Sequence, residues 1–226
     1  MSVQVAEKTR RAAPVSRREA SAPQGAALVK DRRIARTRVA LRDALIELVE
    51  QQGLDSISVG DLCAAADITR GTFYNHFQDK ETLVAAFEDQ VIDGLDVFQE
   101  RMSSLSLVEL SKCIALKQPL PLLVEMFDYL RGEGAFLHAM LGGGGDAAFA
   151  SRIRDSVCTN LIHSILHKRY RESSDPFVGY YVSFYASAYL GVIMRWVETG
   201  MQEGSEEMAR IAQRLLFIKP GESIKL

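Results

Sequence analysis

Residues 57–83 read ISVGDLCAAADITRGTFYNHFQDKETL, and this stretch decides the fold of the chain. Ser58 precedes a short helical pattern as an N-cap, with Asp61 three residues later as a weaker form of the capping-box partner. Thr69 and Asp79 stand in the same capping position before two further helical patterns. The stretch therefore predicts a helix over about 59–66, a tight turn at Asp67, a helix over about 70–76 and another helix that starts at Lys80 and runs toward Met102.

A longer helix is predicted before this stretch. Ile34, Leu41, Leu45 and Leu48 recur at helical spacing and make one apolar stripe, and Gly53 follows as a C-terminal stop. A long helix followed by two short helices joined by a tight turn is typical of helix-turn-helix proteins, which place the second short helix in the major groove of DNA.

The second short helix carries side chains suited to this task. Arg70 can bond guanine in a bidentate way, Thr72 can touch a base edge or a thymine methyl group, and Gly71 lets the backbone approach closely. Phe73 and Phe77 share the opposite face and are predicted to anchor the helix. We assign DNA contact to Arg36, Ser58, Thr69, Arg70, Gly71, Thr72, Tyr74, Asn75, His76 and Lys80.

The segment TRGTFYNHFQDKETL resembles the recognition helix and following helix of the TetR family of bacterial transcription regulators, and the resemblance extends over about residues 32–85. Asp67 stands where the family usually has a small residue, often glycine, and Thr69 where it usually has serine. The resemblance implies an N-terminal three-helix DNA-binding domain and a C-terminal helical bundle, which dimerises and often holds a small-molecule pocket.

Composition restricts the class of protein. A chain of 226 residues with 47% hydrophobic and 25% charged residues is ordinary for a globular protein. Three cysteines without metal-type spacing suit a reducing cytoplasm, and no apolar segment follows the N-terminal charges as in a secretory signal. Residues 1–38 carry ten basic and three acidic side chains, which makes a net charge of +7 and leaves −9 for the remainder. We expect a basic disordered tail over residues 1–29.

The rest of the chain is predicted to be helical, so the fold class is all-α. Candidate helices cover about 105–116, 119–131, 134–141, 146–170, 176–201 and 205–217, separated by glycine-rich breaks. The predicted organisation is a tail at 1–29, a DNA-binding domain at 30–80 and a dimerisation and effector domain at 81–226.

Residues 177–194, FVGYYVSFYASAYLGVIM, contain no charge. Small residues recur along them at about every fourth position, which indicates close packing between helices. We interpret the helices at 176–201 and 205–217 as the homodimer interface, with a membrane span or a core helix as alternatives.

No enzyme is predicted. The bend MLGGGGDAAFASRI at 140–153 lacks the Gly-Lys-Ser/Thr of a phosphate-binding loop, and Asp146 is instead expected to cap the next helix. His163 and His167 are four residues apart but lack the glutamate of a zinc-protease motif. We therefore expect no metal and no cofactor, and we keep a metal enzyme using these histidines as an alternative.

The sequence thus predicts a cytoplasmic homodimeric DNA-binding regulator, and most specifically a repressor that a small-molecule effector releases from a near-palindromic operator. The alternative is a DNA-packaging protein that binds without sequence preference and has no effector. A small apolar or aromatic effector would be held by Met126, Phe127, Phe136, Met140, Tyr181, Phe184 and Tyr185. The partners are therefore double-stranded DNA, a second copy of the chain and this effector, with no membrane.

Overall fold

A computed structural model describes residues 24–106, 108, 112–113, 115–116, 118–164 and 175–216. Within these residues every regular element is helical, which confirms the all-α prediction. The elements are α1 (Gln24–Gln52), a 3₁₀ helix (Leu54–Ser56), α2 (Val59–Ala65), α3 (Arg70–Tyr74), α4 (Lys80–Ser103), α5 (Pro121–Gly132), α6 (Gly134–Leu141), α7 (Ala147–Ser164), α8 (Pro176–Glu198) and α9 (Ser205–Leu216).

Helix α1 begins earlier than the composition suggested. The disordered tail predicted for residues 1–29 is wrong for residues 24–29, which are helical. The segment QGAALVK contains alanine and leucine, the strongest helix formers, and these outweigh its polar character. Residues 1–23 of that tail, and most of the helix predicted at 105–116, lie outside the described residues.

The contacts divide the chain after Arg36 into residues 1–36 and 37–226. In the first unit, the described residues form the first turns of α1, where residues 32–36 are exposed. In the second unit, α4 packs against α5 and α7, α8 packs against α6 and α7, and α9 packs against α5.

A series of contacting aromatic side chains runs through the core of the second unit. Phe87 on α4 lies 6.0 Å from Phe77, which follows α3, and 6.4 Å from Phe136 on α6, measured between ring centroids. Phe136 in turn contacts Phe149 on α7 at 5.9 Å. The buried core is therefore continuous across the predicted domain boundary at residue 80. Phe87 on α4 contacts one aromatic ring that precedes this boundary in sequence and another that follows it. The domain boundary at residue 80 stays a prediction.

The end of α1 is bonded to a distant bend. Gly53 stops the helix as predicted, with a φ of 76° and its amide donating to the Val49 carbonyl at 2.9 Å. The next amide, that of Leu54, donates to the carbonyl of Gly144 at 2.7 Å. The glycine-rich bend between α6 and α7 therefore contacts the turn that leads into α2.

The same bend leads into α7. Asp146 accepts a hydrogen bond from the Ala148 amide at 2.7 Å, so it caps α7 as predicted. A Cβ at Gly145 would lie only 2.1 Å from the Met140 carbonyl oxygen. Position 145 therefore has no room for a side chain.

Helix α8 is long and apolar enough to cross a membrane by length and composition, with a mean hydropathy of 1.4. Core helices of soluble proteins pass the same test, so this property alone assigns no location. Only 22% of its most apolar window is buried within the protomer. The exposed face includes Phe177, Tyr180 and Phe184, each at least 67% exposed.

Candidate nucleic-acid interface

The first short helix, α2, begins with a complete capping box. The Ser58 hydroxyl oxygen accepts the Asp61 amide at 3.2 Å, and the Asp61 carboxylate accepts the Ser58 amide at 2.9 Å. The Ser58 hydroxyl also donates to the Asp61 carboxylate, at 2.7 Å. This bond and the one from the Ser58 amide hold the pKa of Asp61 below its ordinary value. The interaction satisfies backbone donors that a helix start leaves unpaired, so both residues predicted to cap α2 do so.

The turn between α2 and α3 depends on a strained residue. Asp67 has a φ of 50°, in the left-handed region that few residues other than glycine and asparagine or aspartate adopt. The Ile68 amide closes the turn by donating to the Cys63 carbonyl at 3.0 Å. Aspartate in place of the family's usual glycine is therefore accommodated in the left-handed conformation.

Helix α3 begins with two threonines that bond each other. Thr69 is the N-cap, and its hydroxyl accepts the Thr72 amide at 3.1 Å and lies 3.0 Å from the Thr72 hydroxyl. Arg70 and Gly71 are exposed beside them. Apart from its chain neighbours and the backbone of its own helix, no described atom would lie closer than 3.8 Å to a Cβ built on Gly71. The start of α3 therefore presents an open surface.

The opposite face of α3 is anchored in the core. Phe73 is fully buried and Phe77 is 5% exposed, with ring centroids 6.0 Å apart, which confirms the predicted anchor. Tyr74 between them is 57% exposed and meets Phe73 edge-on at 5.5 Å. Asn75 is also exposed, whereas His76 is half-buried beside Phe77. The helix therefore buries one face and leaves its polar residues accessible.

Gly60 is a residue that the sequence reasoning missed. A Cβ at Gly60 would lie 2.9 Å from a terminal guanidinium nitrogen of Arg70 and 3.3 Å from the Ser58 hydroxyl. The guanidinium therefore rests on the backbone of α2, where only glycine leaves space for it. An isolated glycine inside a short helix costs about 1 kcal/mol relative to alanine, and that cost was the available signal.

Two of the predicted DNA contacts, Lys80 and Ser58, already have structural partners within the protein. The Lys80 ammonium donates to the Leu54 carbonyl at 3.0 Å and is half-buried, so it braces the turn after α1. The Ser58 hydroxyl is used by the capping box. Arg36 lies on α1 and is exposed. Contact of any of these residues with phosphate stays a prediction.

The seven residues predicted to line an effector pocket occupy different environments. Phe127, Phe136 and Met140 are each 1% exposed, and Phe127 packs edge-on against Trp196 at 5.4 Å. The Tyr181 and Tyr185 rings are 4.6 Å apart on α8, next to the exposed Phe184; Met126 is half-buried on α5. None of the seven lines either of two cavities, of about 460 and 530 Å³, that lie among the described residues.

Possible metal ligands are not clustered in the described part of the chain. There, no three histidine, cysteine, aspartate or glutamate side chains come together as a group that could hold an ion. The His163 side chain and His167 lie outside the described residues.

Two family models match the sequence. The one described as "Bacterial regulatory proteins, tetR family" matches residues 41–87, and "Transcriptional regulator C-terminal region" matches residues 117–217. An HTH-type transcriptional regulator of Bacillus subtilis, YxbF, is 34% identical over 91 residues, which cover 38% of this chain and 24% of that protein. The chain thus matches about a quarter of the length of this relative.

Solved structures share the fold. A TetR transcriptional regulator from Streptococcus agalactiae is 23% identical, with a TM-score of 0.52, over 84% of this chain and 98% of that one. FadR from Bacillus subtilis, in complex with stearoyl-CoA, is 15% identical, with a TM-score of 0.52, over 79% and 96%. Both family models match in the expected order, on a fold that these regulators share. The chain belongs to the TetR family of bacterial transcription regulators.

Proposed function

We propose that this protein is a homodimeric, sequence-specific DNA-binding repressor that a small-molecule effector releases from a near-palindromic operator. The observation that carries the proposal is the geometry of α3. Its Phe73 side is fixed in the core, and its Arg70, Gly71 and Tyr74 positions are exposed. A rigid helix with an accessible polar start is suited to reading base edges in the major groove.

We propose separate roles for the residues in and beside α3. Arg70 and Thr72 are proposed to read bases, and Tyr74, Asn75 and His76 to contact phosphate, because base contacts carry sequence information and phosphate contacts set position. Thr69 and Gly71 shape the start of the helix, since Thr69 is its cap and Gly71 leaves its surface open. The binding surface is thus proposed to divide into a reading group and a positioning group.

Dimerisation is proposed through α8 and α9. Phe177, Tyr180 and Phe184 leave a large apolar surface on α8, and exposed Ser187 and Gly191 continue along the helix with small side chains. Contiguous exposed apolar patches mark interaction sites in soluble proteins. A two-fold dimer would place two α3 helices about one helical turn of DNA apart, roughly 34–36 Å, which requires a near-palindromic site.

The proposed effector is a small apolar or aromatic molecule. Regulators of this fold include a FadR solved with stearoyl-CoA, so this acyl-CoA is one probe for a ligand panel. Binding of the effector would release DNA by stabilising a conformation in which the two α3 helices no longer match the operator. Met126, Phe127, Phe136, Met140, Tyr181, Phe184 and Tyr185 remain its proposed contacts.

The test is binding of the purified protein to the intergenic DNA beside its own gene and to a scrambled duplex, at one physiological salt concentration. We expect a preference of about 1,000-fold or more for the native sequence. The variant Arg70→Ala should reduce that preference more than it reduces binding to the scrambled duplex. Equal affinity for all duplexes, with a steep dependence on salt, would instead identify a binder without sequence preference.

A further inference from the structure

Glu88, on the third turn of α4, is a buried carboxyl group with one unsatisfied oxygen. Its side chain is 2% exposed. One oxygen accepts a hydrogen bond from Arg152 on α7. The other, Oε1, is inaccessible to solvent and has no partner among the described residues. An orphaned buried oxygen of this kind calls for an explanation, because leaving it unpaired is costly.

A second carboxyl group, at the start of α7, faces Glu88 on α4. It belongs to Asp146, which lines the same cavity as Glu88, and its charge acts on the Glu88 carboxyl. Burial and the Asp146 charge raise the pKa of Glu88 to about 7, although Arg152 opposes them. Arg152 also binds the exposed Asp89. The other charged groups that line the adjoining cavity of about 530 Å³ are Asp55, Lys80 and Glu81.

The two protonation states of Glu88 bond differently. When it is protonated, Oε1 carries the proton and can donate to the Asp146 carboxylate, while the second oxygen still accepts from Arg152. When it is ionised, two buried negative groups face each other without a donor between them.

The pair occupies the connection between the DNA-reading helices and the bundle. Asp146 directly follows the glycine bend, whose Gly144 carbonyl accepts the Leu54 amide at 2.7 Å. Lys80, two turns before Glu88 on α4, donates to the Leu54 carbonyl at 3.0 Å. A displacement of the bend therefore acts directly on the turn that leads into α2.

We propose that Glu88 and Asp146, here called the carboxyl pair, form a proton-operated contact that fixes the glycine bend against α4. Protonation closes the contact and holds the helix-turn-helix segment in the arrangement seen here. Ionisation opens it and frees the bend. A preorganised reading segment binds DNA with less ordering cost, so operator affinity falls as the pH rises through 7. This last step rests on the proposed function, whereas the opening of the contact does not.

The test compares the wild-type protein with three variants between pH 5.5 and 8.5. Glu88→Gln imitates the protonated side chain, because its amide can donate to Asp146 and accept from Arg152. Asp146→Asn removes the facing charge. Asp89→Asn is the matched control, since it also loses a partner of Arg152 but is exposed.

The first measurement is hydrogen exchange of the Leu54 amide in the free protein, corrected for the intrinsic effect of pH. A shift in the pKa of Glu88 from 4.5 to about 7 limits the linked change to about 300-fold. We expect wild-type and Asp89→Asn protection to fall by up to about tenfold between pH 6 and 8. Glu88→Gln and Asp146→Asn protection should stay level. Parallel profiles for all four proteins would overturn the proposal, as would a Glu88 carboxyl NMR signal that titrates below pH 5.5.

The second measurement is operator affinity over the same pH range. The wild-type protein should lose affinity as the pH rises, relative to Glu88→Gln. The operator affinities of the wild type and Glu88→Gln could instead change in parallel with pH while hydrogen exchange of the Leu54 amide behaves as expected. That result would overturn the link to DNA reading and leave only the local contact. If no operator is bound at any pH, the proposed function fails, and the exchange result still decides the carboxyl pair.

Discussion

The Leu54 amide donates a 2.7 Å hydrogen bond to the Gly144 carbonyl, which joins two segments ninety residues apart in sequence. The first segment leads into the helix-turn-helix, and the second connects α6 to α7 in the bundle. The bond helps to explain why this bend is rich in glycine, because its backbone lies close to the backbone atoms of Gly53 and Val49. A change in the bundle can therefore reach the DNA-reading helices through backbone atoms.

Replacement of Gly145 by alanine should disturb this bend. The new Cβ would lie 2.1 Å from the Met140 carbonyl oxygen, which is a backbone atom and cannot rotate away. Overpacking of this kind costs roughly 1–3 kcal/mol. Urea unfolding followed by the fluorescence of Trp196, the only tryptophan, measures the loss. Gly143→Ala is the control and should stay within about 0.5 kcal/mol, since a Cβ there would have no described atom within 4 Å apart from its chain neighbours.

Replacement of Gly60 by alanine should separate stability from DNA reading. Alanine favours the helix by up to about 1 kcal/mol, so unfolding should require more denaturant. The new methyl group displaces the Arg70 guanidinium from its resting place on α2. We therefore expect altered discrimination at the base pair that Arg70 is proposed to read, measured with a set of single-substitution operators. In an Arg70→Ala background the same change should leave the base preference unaltered, and an equal effect in both backgrounds would disprove the coupling.

A charge on the exposed face of α8 should prevent dimerisation. Phe184 is 67% exposed in the protomer, and a glutamate there would be buried without a partner in the proposed interface. Sedimentation velocity of Phe184→Glu should show a monomer at concentrations where the wild-type protein is a dimer. Val39→Glu adds the same charge at a 60% exposed position on α1 and should remain dimeric. If the Phe184→Glu protein remains dimeric, the dimer interface does not include this face of α8.

Loss of the Gln213 amide should loosen α9 from α5. Gln213 is 8% exposed, and its carbonyl oxygen accepts the Leu120 amide at 2.8 Å at the start of α5. Gln213→Ala leaves that buried N–H unpaired, at a cost of roughly 1–3 kcal/mol. The free energy of unfolding from urea titration checks this value. The exposed Gln202→Ala serves as the control, and a similar loss there would show that the bond is not responsible.

The capping box of α2 should stabilise the fold in a way that depends on pH. Ser58→Ala should lower the free energy of unfolding by about 0.5–2 kcal/mol at neutral pH, because it removes an N-cap. The folded-state pKa of Asp61 is lowered by Ser58, so its contribution is present above the unfolded pKa and is lost as the pH falls through the folded pKa. Below about pH 4 the difference between the variant and the wild type should therefore shrink. Ser56→Ala, exposed and outside the cap, should track the wild type at every pH.

The reading segment could be predicted from sequence because its interactions are local. Ser58, Thr69 and Asp79 each bond a backbone amide three residues later, and those spacings are visible in the sequence. The anchor formed by Phe73 and Phe77 follows from the same helical period. Lys80 was placed correctly at the start of α4, but its ammonium group bonds Leu54, twenty-six residues earlier. That partner is invisible to a local pattern.

The effector residues show where periodicity stops being informative. Phe127 and Tyr185 look alike as apolar positions on helices, yet the first is 1% exposed and the second is half-buried within a cluster on α8. Which apolar side chain fills the core depends on how distant helices meet. The sequence therefore indicated apolar surface without indicating which part of it is packed.

The amino-acid sequence by itself determined the helices, their caps and the exposed start of α3, since hydrogen bonds between residues three or four apart and the helical repeat suffice to specify them. Only the tertiary structure decided that Glu88 is buried beside Asp146 and that Gly144 is bonded to Leu54. These relationships depend on long-range packing, in which a charge loses its water only after several helices have assembled around it.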